Sequence, residues 1–332
     1  MNANIRDVAK QAGVSVGTVS NVLNRPNQVS VETRLKVKDA IDLLGFMPNA
    51  AINSKGTDSN AIGVILPLSN NPFYEELTQG IEDAIADAGL TVLIGYSRED
   101  AAIELKVLTS MIDAGFRGVI VIPVGSRNQV FEKFIDSNVR VGYISQTDEY
   151  PQQCSVLIDQ LLGGFIGIEY LHGLGHRKIL WISGPKHHHQ SNQRLVGITQ
   201  AASELGIELT TMSSPSLDFL AGEQIAPQII AAGPLPDAIF AANDSLAMGI
   251  INYFNLKGID VPGTVSILGF DNTSYAESGL IPLTSVSQTP YILGQTLGKQ
   301  MVTDLSAEDG HAHQHVVFQP QIVERSSTQR HR

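Results

Sequence analysis

At 332 residues, 43% of them apolar and 17% charged, the chain is long enough for two or three domains with substantial cores. It holds no run of eighteen apolar residues that would span a membrane, and its opening MNANIRDVAKQ lacks the apolar core of a secretion signal, so a cytoplasmic protein is expected. Its formal charge of −11 argues against polyanion binding over the whole surface, and its single cysteine, Cys154, excludes an internal disulfide and reads as an inert thiol.

The charge is uneven. Residues 1–38 carry Arg6, Lys10, Arg25, Arg34, Lys36 and Lys38 against Asp7 and Glu32, a head of +4 on a body of −15. Such a balance points to a polyanion met by the head alone. Residues 5–12 place Ile5, Val8, Ala9 and Ala12 at helical spacing. Gly13 stops that helix, because glycine accepts the left-handed turn. Ser15 is the natural N-cap of a second helix from Val16, with Val19, Val22 and Leu23 facing inward until Asn24-Arg25-Pro26-Asn27 breaks it. Ser30 caps a third helix, and Glu32 suits the positive end of its dipole. Val31, Leu35, Val37, Ile41 and Leu44 are expected mostly on one side of it, and Gly45 ends it. Three short helices with a glycine turn between the first two make a helix-turn-helix unit over residues 1–46.

Residues 47–60, MPNAAINSKGTDSN, are small and polar and read as a hinge or linker. From Ala61 strands and helices alternate: AIGVILPL, a helix over 72–88, LTVLIGY, a helix over 100–114, GVIVIPV, a helix near 128–137, then VRVGYIS. The pattern repeats through SVLI, a helix over 160–173, KILWISG, a helix over 191–205, a strand near 207–212, a helix over 220–232, DAIFAAND, a helix over 245–257 and TVSILGFD. Residues 61–332 therefore read as two open α/β lobes, mainly 61–160 and 161–290, with the part after Tyr291 crossing back between them. Facing lobes leave a cleft at the carboxyl ends of their strands, where small ligands bind. The ending SSTQRHR reads as disordered. No phosphate-binding glycine motif stands in a strand–turn–helix setting. The runs His187-His188-His189 and His311, His313, His315 read as solvated residues rather than a metal site. With no nucleophile–base pair in view, an enzyme is not expected.

Taken in order, the stretches IRDVAKQAGVSVGTVSNVLN, VSVETRLKV, LLGFMPNA, LSNNPFYEELTQGIE, FRGVIVIPV, GHRKILWISGP, DAIFAANDSLAMG, VPGTVSILGFDN and PLTSVSQTP closely resemble the LacI/GalR family of bacterial transcription repressors, over almost the whole chain. The resemblance implies an all-α helix-turn-helix head, a hinge, and an α/β periplasmic-binding-protein-like type I domain of two Rossmann-like lobes that binds effector and dimerises. It implies a homodimer, with pairing to a tetramer left open, on double-stranded operator DNA. The effector is expected to be a sugar or sugar derivative, the alternative being a purine- or nucleoside-type molecule. No cofactor is implied. A solute-binding protein is a distant alternative, disfavoured by the attached head.

Residue by residue, the resemblance implies base reading by Val16, Gly17 and Asn21, at the end of the second helix that enters the major groove. Asn21 stands where many relatives have arginine, and an amide suits adenine where arginine favours guanine. Val16 offers only apolar contact and Gly17 only backbone, so more reliance on DNA shape is expected. Phosphate contacts are implied for Arg6, Ser15, Thr18, Ser20, Asn24, Arg25, Ser30 and Thr33. The hinge departs from the family. Lys55 stands where relatives carry a leucine wedge, and Asn53 where they carry arginine. A wedge shifted to Ile52, a hinge without strong kinking, and a linker little ordered on DNA are the open readings, weaker bending being favoured. In the cleft the implied effector residues are Phe73, Tyr74, Ser145, His188, Arg194, Phe219, Phe240, Asn243, Asp271 and Gln288. Guanidinium, carboxylate and amide around aromatic faces suit a polyhydroxylated molecule, although Ser145 replaces a carboxylate common in relatives. Asp244 is expected to cap the helix at Ser245.

Overall fold

The structure, a computed structural model, describes residues 4–24, 28–44, 46, 59–68, 70–124, 139–144, 153–186, 188–307 and 311–331. Arg25, the hinge residues Ile52, Asn53 and Lys55, Ser145, His187 and the helix expected near 128–137 lie outside the described residues, as does the side chain of Asn24. The chain forms two compact units, Met1–Ser59 with Asp113–Gly115, and Asn60–Ile112 with Phe116–Arg332.

The amino-terminal unit holds α1 (Ile5–Ala12), α2 (Val16–Asn24) and α3 (Val31–Leu44). Asn4 accepts from the amides of Arg6 and Asp7, and the Asp7 carboxylate accepts from the Asn4 amide at 2.9 Å, so three amide donors at the helix start are satisfied by the two side chains. Gly13 takes the left-handed turn at φ 68°. The helices close on Val8, Ala9, Val19, Val37 and Ala40, with Val22, Leu23, Ile41 and Leu44 packed around them. The expected inward face of α3 needs correction: Val31 and Leu35 are 63% and 56% exposed. The buried stripe runs Val37, Ala40, Ile41, Leu44 at helical spacing, and the two earlier residues fall out of phase with it.

The second unit begins with β1 (Ser59–Leu66), α4 (Pro72–Ile85), β2 (Thr91–Tyr96), α5 (Ala101–Asp113), β3 (Phe116–Val121), β4 (Arg140–Ile144) and β5 (Cys154–Ile158). It continues with α6 (Gln160–Gly173), β6 (Lys178–Ser183), α7 (His189–Leu205), β7 (Glu208–Ser213), α8 (Phe219–Ala231), β8 (Ala238–Ala241), α9 (Asp244–Leu256), β9 (Ser266–Asp271), α10 (Ser274–Ser278) and β10 (Thr284–Ser287). It ends with α11 (Pro290–Ser306), β11 (His315–Phe318) and β12 (Gln321–Val323). Two six-stranded sheets result, in the orders β11-β5-β4-β3-β1-β2 and β12-β10-β9-β8-β6-β7. β11 lies parallel to β5 with His315 opposite Ser155, and β12 lies antiparallel to β10 with Ser285 opposite Val323. The chain thus passes between lobes three times, after β5, after β10 and after β11. α11 returns to the first lobe and packs on α4 and the faces of β4 and β5.

Two segments escape the sequence pattern. β10 is TSVS, short and mostly hydroxylic, yet all four residues are buried. The ending is ordered, against expectation. Ser327 donates to the Ile267 carbonyl at 2.6 Å and accepts from the Thr284 amide at 2.8 Å, while the His331 amide donates to the Leu174 carbonyl at 2.8 Å. These residues supply partners to backbone groups that would otherwise be buried unpaired. The second lobe is centred on Trp181, Phe240 and Phe270; Trp181 meets Phe240 edge-on at 5.1 Å and Phe240 stacks near Phe270. Its helices α6 and α7 cross closely because Gly164 and Gly197 face each other's helix backbone. A Cβ on either would run into the carbonyl of Arg194 or of Leu161. Among the described residues no helix is long and apolar enough to cross a membrane.

Candidate functional site

In the amino-terminal unit, Ser15 caps α2: its Oγ accepts from the Thr18 amide at 3.0 Å and lies 2.9 Å from Thr18 Oγ1. Ser30 and Thr33 repeat the arrangement at α3, the amide distance being 3.3 Å. Both helix amino ends therefore carry oriented hydroxyls beside exposed amides, the arrangement that holds phosphate. Val16 is 42% exposed, Gly17 and Asn21 are exposed, and Arg6 projects from α1. The Asn21 amide makes no hydrogen bond among the described residues. Thr18 and Ser20 are half-buried.

The second unit has a cleft of about 1030 Å³, its open mouth included, at the carboxyl ends of both sheets. Loops after β1 and β3 and the start of α4 bring Asn70, Asn71, Phe73, Tyr74 and Pro123 to one wall. The start of α7 and the ends of β8 and β9 bring His188, Gln193, Arg194, Asn243 and Asp271 to the other. The two crossings after β5 and β10 place Gln160 and Gln288 at the floor.

Arg194 is buried, with two edges of its guanidinium engaged. Its Nε donates to Gln160 Oε1 at 2.7 Å, Nη1 donates to the Ala242 carbonyl, and the guanidinium carbon sits 3.6 Å above the Phe270 ring. Nη2 lies 3.9 Å from Asp271 Oδ1, too far for a direct hydrogen bond. Gln160 Nε2 donates to Gln288 Oε1 at 2.8 Å, and Gln288 Nε2 donates to Asp271 Oδ1 at 2.5 Å. A polar chain therefore runs from Arg194 through Gln160 and Gln288 to Asp271, joining both crossings to the second lobe and leaving the Arg194–Asp271 gap open. From the first lobe the Asn71 side chain approaches Asp271 and favours its ionised form. Burial pushes the Asp271 carboxyl above the usual carboxylate range, with Arg194 pulling the other way. Burial holds the Arg194 guanidinium down to about 10, despite the charge of Asp271. Burial and then Asp271 push the Tyr74 phenol up. Asp271 itself sits at φ 115° and Thr289, in the second crossing, at φ 47°. Non-glycine residues hold such backbone only where the surroundings impose it, and such positions cluster at ligand sites.

Phe73, Tyr74, His188, Arg194, Asn243, Asp271 and Gln288 all line this cleft. Phe73 and Tyr74 meet edge to face at 5.4 Å. Asn243 has little left for a ligand: it caps α9 by accepting from the Leu246 amide and donates to the Leu217 carbonyl, both at 2.9 Å. The capping role expected of Asp244 thus belongs to Asn243. Asp244 instead accepts from Ser285 Oγ at 2.5 Å and the Thr273 amide at 2.8 Å, tying α9 to β10 and the turn after β9. Phe240 is wholly buried between Trp181 and Phe270 and is corrected to a core residue, because its strand position points it away from the cleft. Phe219 opens α8 with an exposed ring and is not among the cleft residues, whereas Leu217 is. Sequence reasoning missed Gln160, although its place between the Asp159 cap and the first crossing is a usable signal.

Residues 4–49 match the bacterial regulatory proteins of the lacI family, and residues 168–328 match the periplasmic binding protein-like domain. The chain is 32% identical to the HTH-type transcriptional regulator DegA of Bacillus subtilis (strain 168), over 99% of this chain and 98% of that one. Its fold is similar to that of a lac repressor dimer bound to operator and the anti-inducer ONPF, with TM-score 0.73 and 24% identity over 99% and 100% of the two chains. It is similar also to a transcriptional regulator CelR–cellobiose complex, with TM-score 0.71 and 25% identity over 98% and 99%.

Proposed function

We propose that this chain, which belongs to the lacI family of bacterial regulatory proteins, is a cytoplasmic homodimeric repressor whose grip on operator DNA is set by a sugar-like effector in the cleft. The observation that carries the effector reading is the unfinished pairing of Arg194 with Asp271. Two edges of the guanidinium are spent on Gln160 and Ala242, and the third faces a carboxylate across 3.9 Å. A ligand hydroxyl donates to one and accepts from the other, completing what the protein leaves open. Asn71 and Tyr74 approach Asp271 from the opposite lobe. A molecule held by both walls therefore favours the closed arrangement over the open one. The structure of similar fold from CelR is a complex with cellobiose, which supports a sugar as the effector class.

In the head, Asn21 reads a base edge, Val16 and Gly17 allow close approach, and the Ser15–Thr18 and Ser30–Thr33 pairs hold phosphates. Effector and operator are then linked, and each changes the affinity of the other by the same factor. The test is a thermal-shift screen of the full chain against sugars and nucleosides, followed by anisotropy titration of genomic fragments selected for binding. A sugar that raises the melting temperature and changes fragment affinity supports the reading, and Arg194→Ala abolishes both effects. A shift with nucleosides alone replaces the effector class, and no fragment preferred over random duplex overturns the reading.

A further inference from the structure

At the edge of the first sheet opposite the cleft, two features that mean little apart in the sequence meet. Cys154 begins β5, and His311 and His313 stand on the extended chain entering β11, the strand beside it. Cys154 Sγ lies 3.1 Å from His311 Nε2 and 3.9 Å from His313 Nδ1, and the three donor atoms all fall within 4.8 Å of one another. Around a tetrahedral zinc ion with ordinary Zn–S and Zn–N bonds, neighbouring sulfur and nitrogen atoms stand about 3.5 Å apart. The two observed distances bracket that value. The imidazole rings are 5.5 Å apart with planes at 80°, so each turns a different nitrogen toward the sulfur. The next alternate residue, His315, is committed elsewhere, 2.8 Å from Ser155 Oγ.

A second observation comes from α11. Asp304 is buried, yet its Oδ1 accepts no hydrogen bond among the described residues, the nearest cation being Arg140 Nε at 3.5 Å. Its carboxylate lies close enough for its charge to act on both Cys154 and His313. A buried carboxylate oxygen with no hydrogen-bond donor among the described residues, beside one thiol and two imidazoles and facing a single guanidinium, leaves room for a further positive charge. Both histidines reach solvent, which gives an ion a way in.

We propose that Cys154, His311 and His313 form a site for one borderline divalent transition-metal ion of the zinc type, with Asp304 beside it and its fourth position taken by water from the side where the histidines reach solvent. Sulfur with two imidazoles selects such ions over magnesium or calcium, which prefer all-oxygen shells. The ion would clamp the chain returning from α11 onto β5.

The test uses the full chain without an affinity tag, stripped with a chelator and titrated with Co²⁺ and then Zn²⁺. The expected result is one ion per chain, with a thiolate-to-cobalt charge-transfer band and tetrahedral d–d absorption, both displaced by zinc. Cys154→Ser removes the charge-transfer band, and His313→Gln weakens zinc binding by about 100-fold or more, since even outer-shell losses cost 10- to 100-fold. His311→Gln and His313→Gln lie on a solvent-reaching stretch, so they carry the test if the cysteine variant does not fold. Absence of the charge-transfer band overturns the site. So does zinc affinity unchanged in the cysteine and histidine variants, which would place the ion on histidines elsewhere.

Discussion

Replacing Arg194 by methionine removes the charge and keeps most of the volume. The guanidinium makes two hydrogen bonds, to Gln160 and Ala242, each worth about 1.5–3 kcal/mol for a charged donor. Its place over Phe270 adds about 1 kcal/mol. Against this, a guanidinium held down to about 10 carries an ionisation penalty on the order of 3 kcal/mol. The net loss of stability is therefore about 1–4 kcal/mol with Asp271 ionised, because the value of about 10 already includes the Asp271 charge. At a pH where Asp271 is protonated the loss is smaller. The Asp271 carboxyl already sits above its unfolded value because it is buried, and Arg194 is the cation opposing that rise. A carboxyl raised on folding contributes stability that is fully present below its unfolded pKa and is lost as pH climbs through the folded one. Without Arg194 the folded value moves higher, each tenfold weakening of acidity costing about 1.4 kcal/mol once the group ionises. Urea unfolding followed by the single tryptophan, Trp181, buried in the second lobe, should show a larger Arg194→Met loss near pH 8 than near pH 5. An equal loss at both would mean that the arginine does not hold the carboxylate, and the effector reading would lose its foundation.

Asp244→Asn should flatten the fall in stability as pH rises. Burial, and then Asp271, raise the Asp244 carboxyl to about 8, and an amide can still accept from Thr273 and donate to Ser285; destabilisation at every pH from 5 to 9, measured by urea midpoints, would contradict this. Gly197→Ala, driving a methyl into the Leu161 carbonyl, should cost about 3 kcal/mol. The control Gly173→Ala, at the end of α6 with open space around it, should be neutral or gain up to about 1 kcal/mol in the same assay. Asn21→Ala should leave the melting temperature unchanged and reduce discrimination at one operator base pair by about 5- to 150-fold, with non-specific binding intact. Uniform weakening on all duplexes would assign Asn21 to phosphate instead.

Much of the α/β pattern was legible because each element carries its own signal. Gln160–Gly173 is framed by the Asp159 cap and a following glycine turn, and its boundaries match the expectation. β10 carries no such signal. Its hydroxyls look like loop chemistry until Thr328 and Asp244 are seen to pair with them. The same holds for SSTQRHR, where order comes from partners in β9 and β10. In the cleft, the resemblance led to Arg194 and Asp271, but the chain of hydrogen bonds between them joins residues 34 and 128 positions apart, through Gln160. Such pairings depend on where the crossings bring the chain. Phe240 shows the converse: an aromatic in a short apolar strand reads alike whether it faces ligand or core. For Cys154 and His311, 157 positions separate two residues that only the entry of β11 beside β5 makes neighbours.

The threefold passage of the chain between lobes bears on how the protein is made. During synthesis β1 to β5 emerge first, but the helix that covers β4 and β5, α11, and the edge strand β11 come after the whole of β6 to β10. The first lobe lacks its edge strand until residue 318 has left the ribosome and the second until residue 323, whereas the amino-terminal helices have every core residue they need once Phe46 is out. A nascent chain therefore carries a finished DNA-binding head on an unfinished body. Until translation ends, half-built sheets with bare apolar faces are the surface that chaperones must shield.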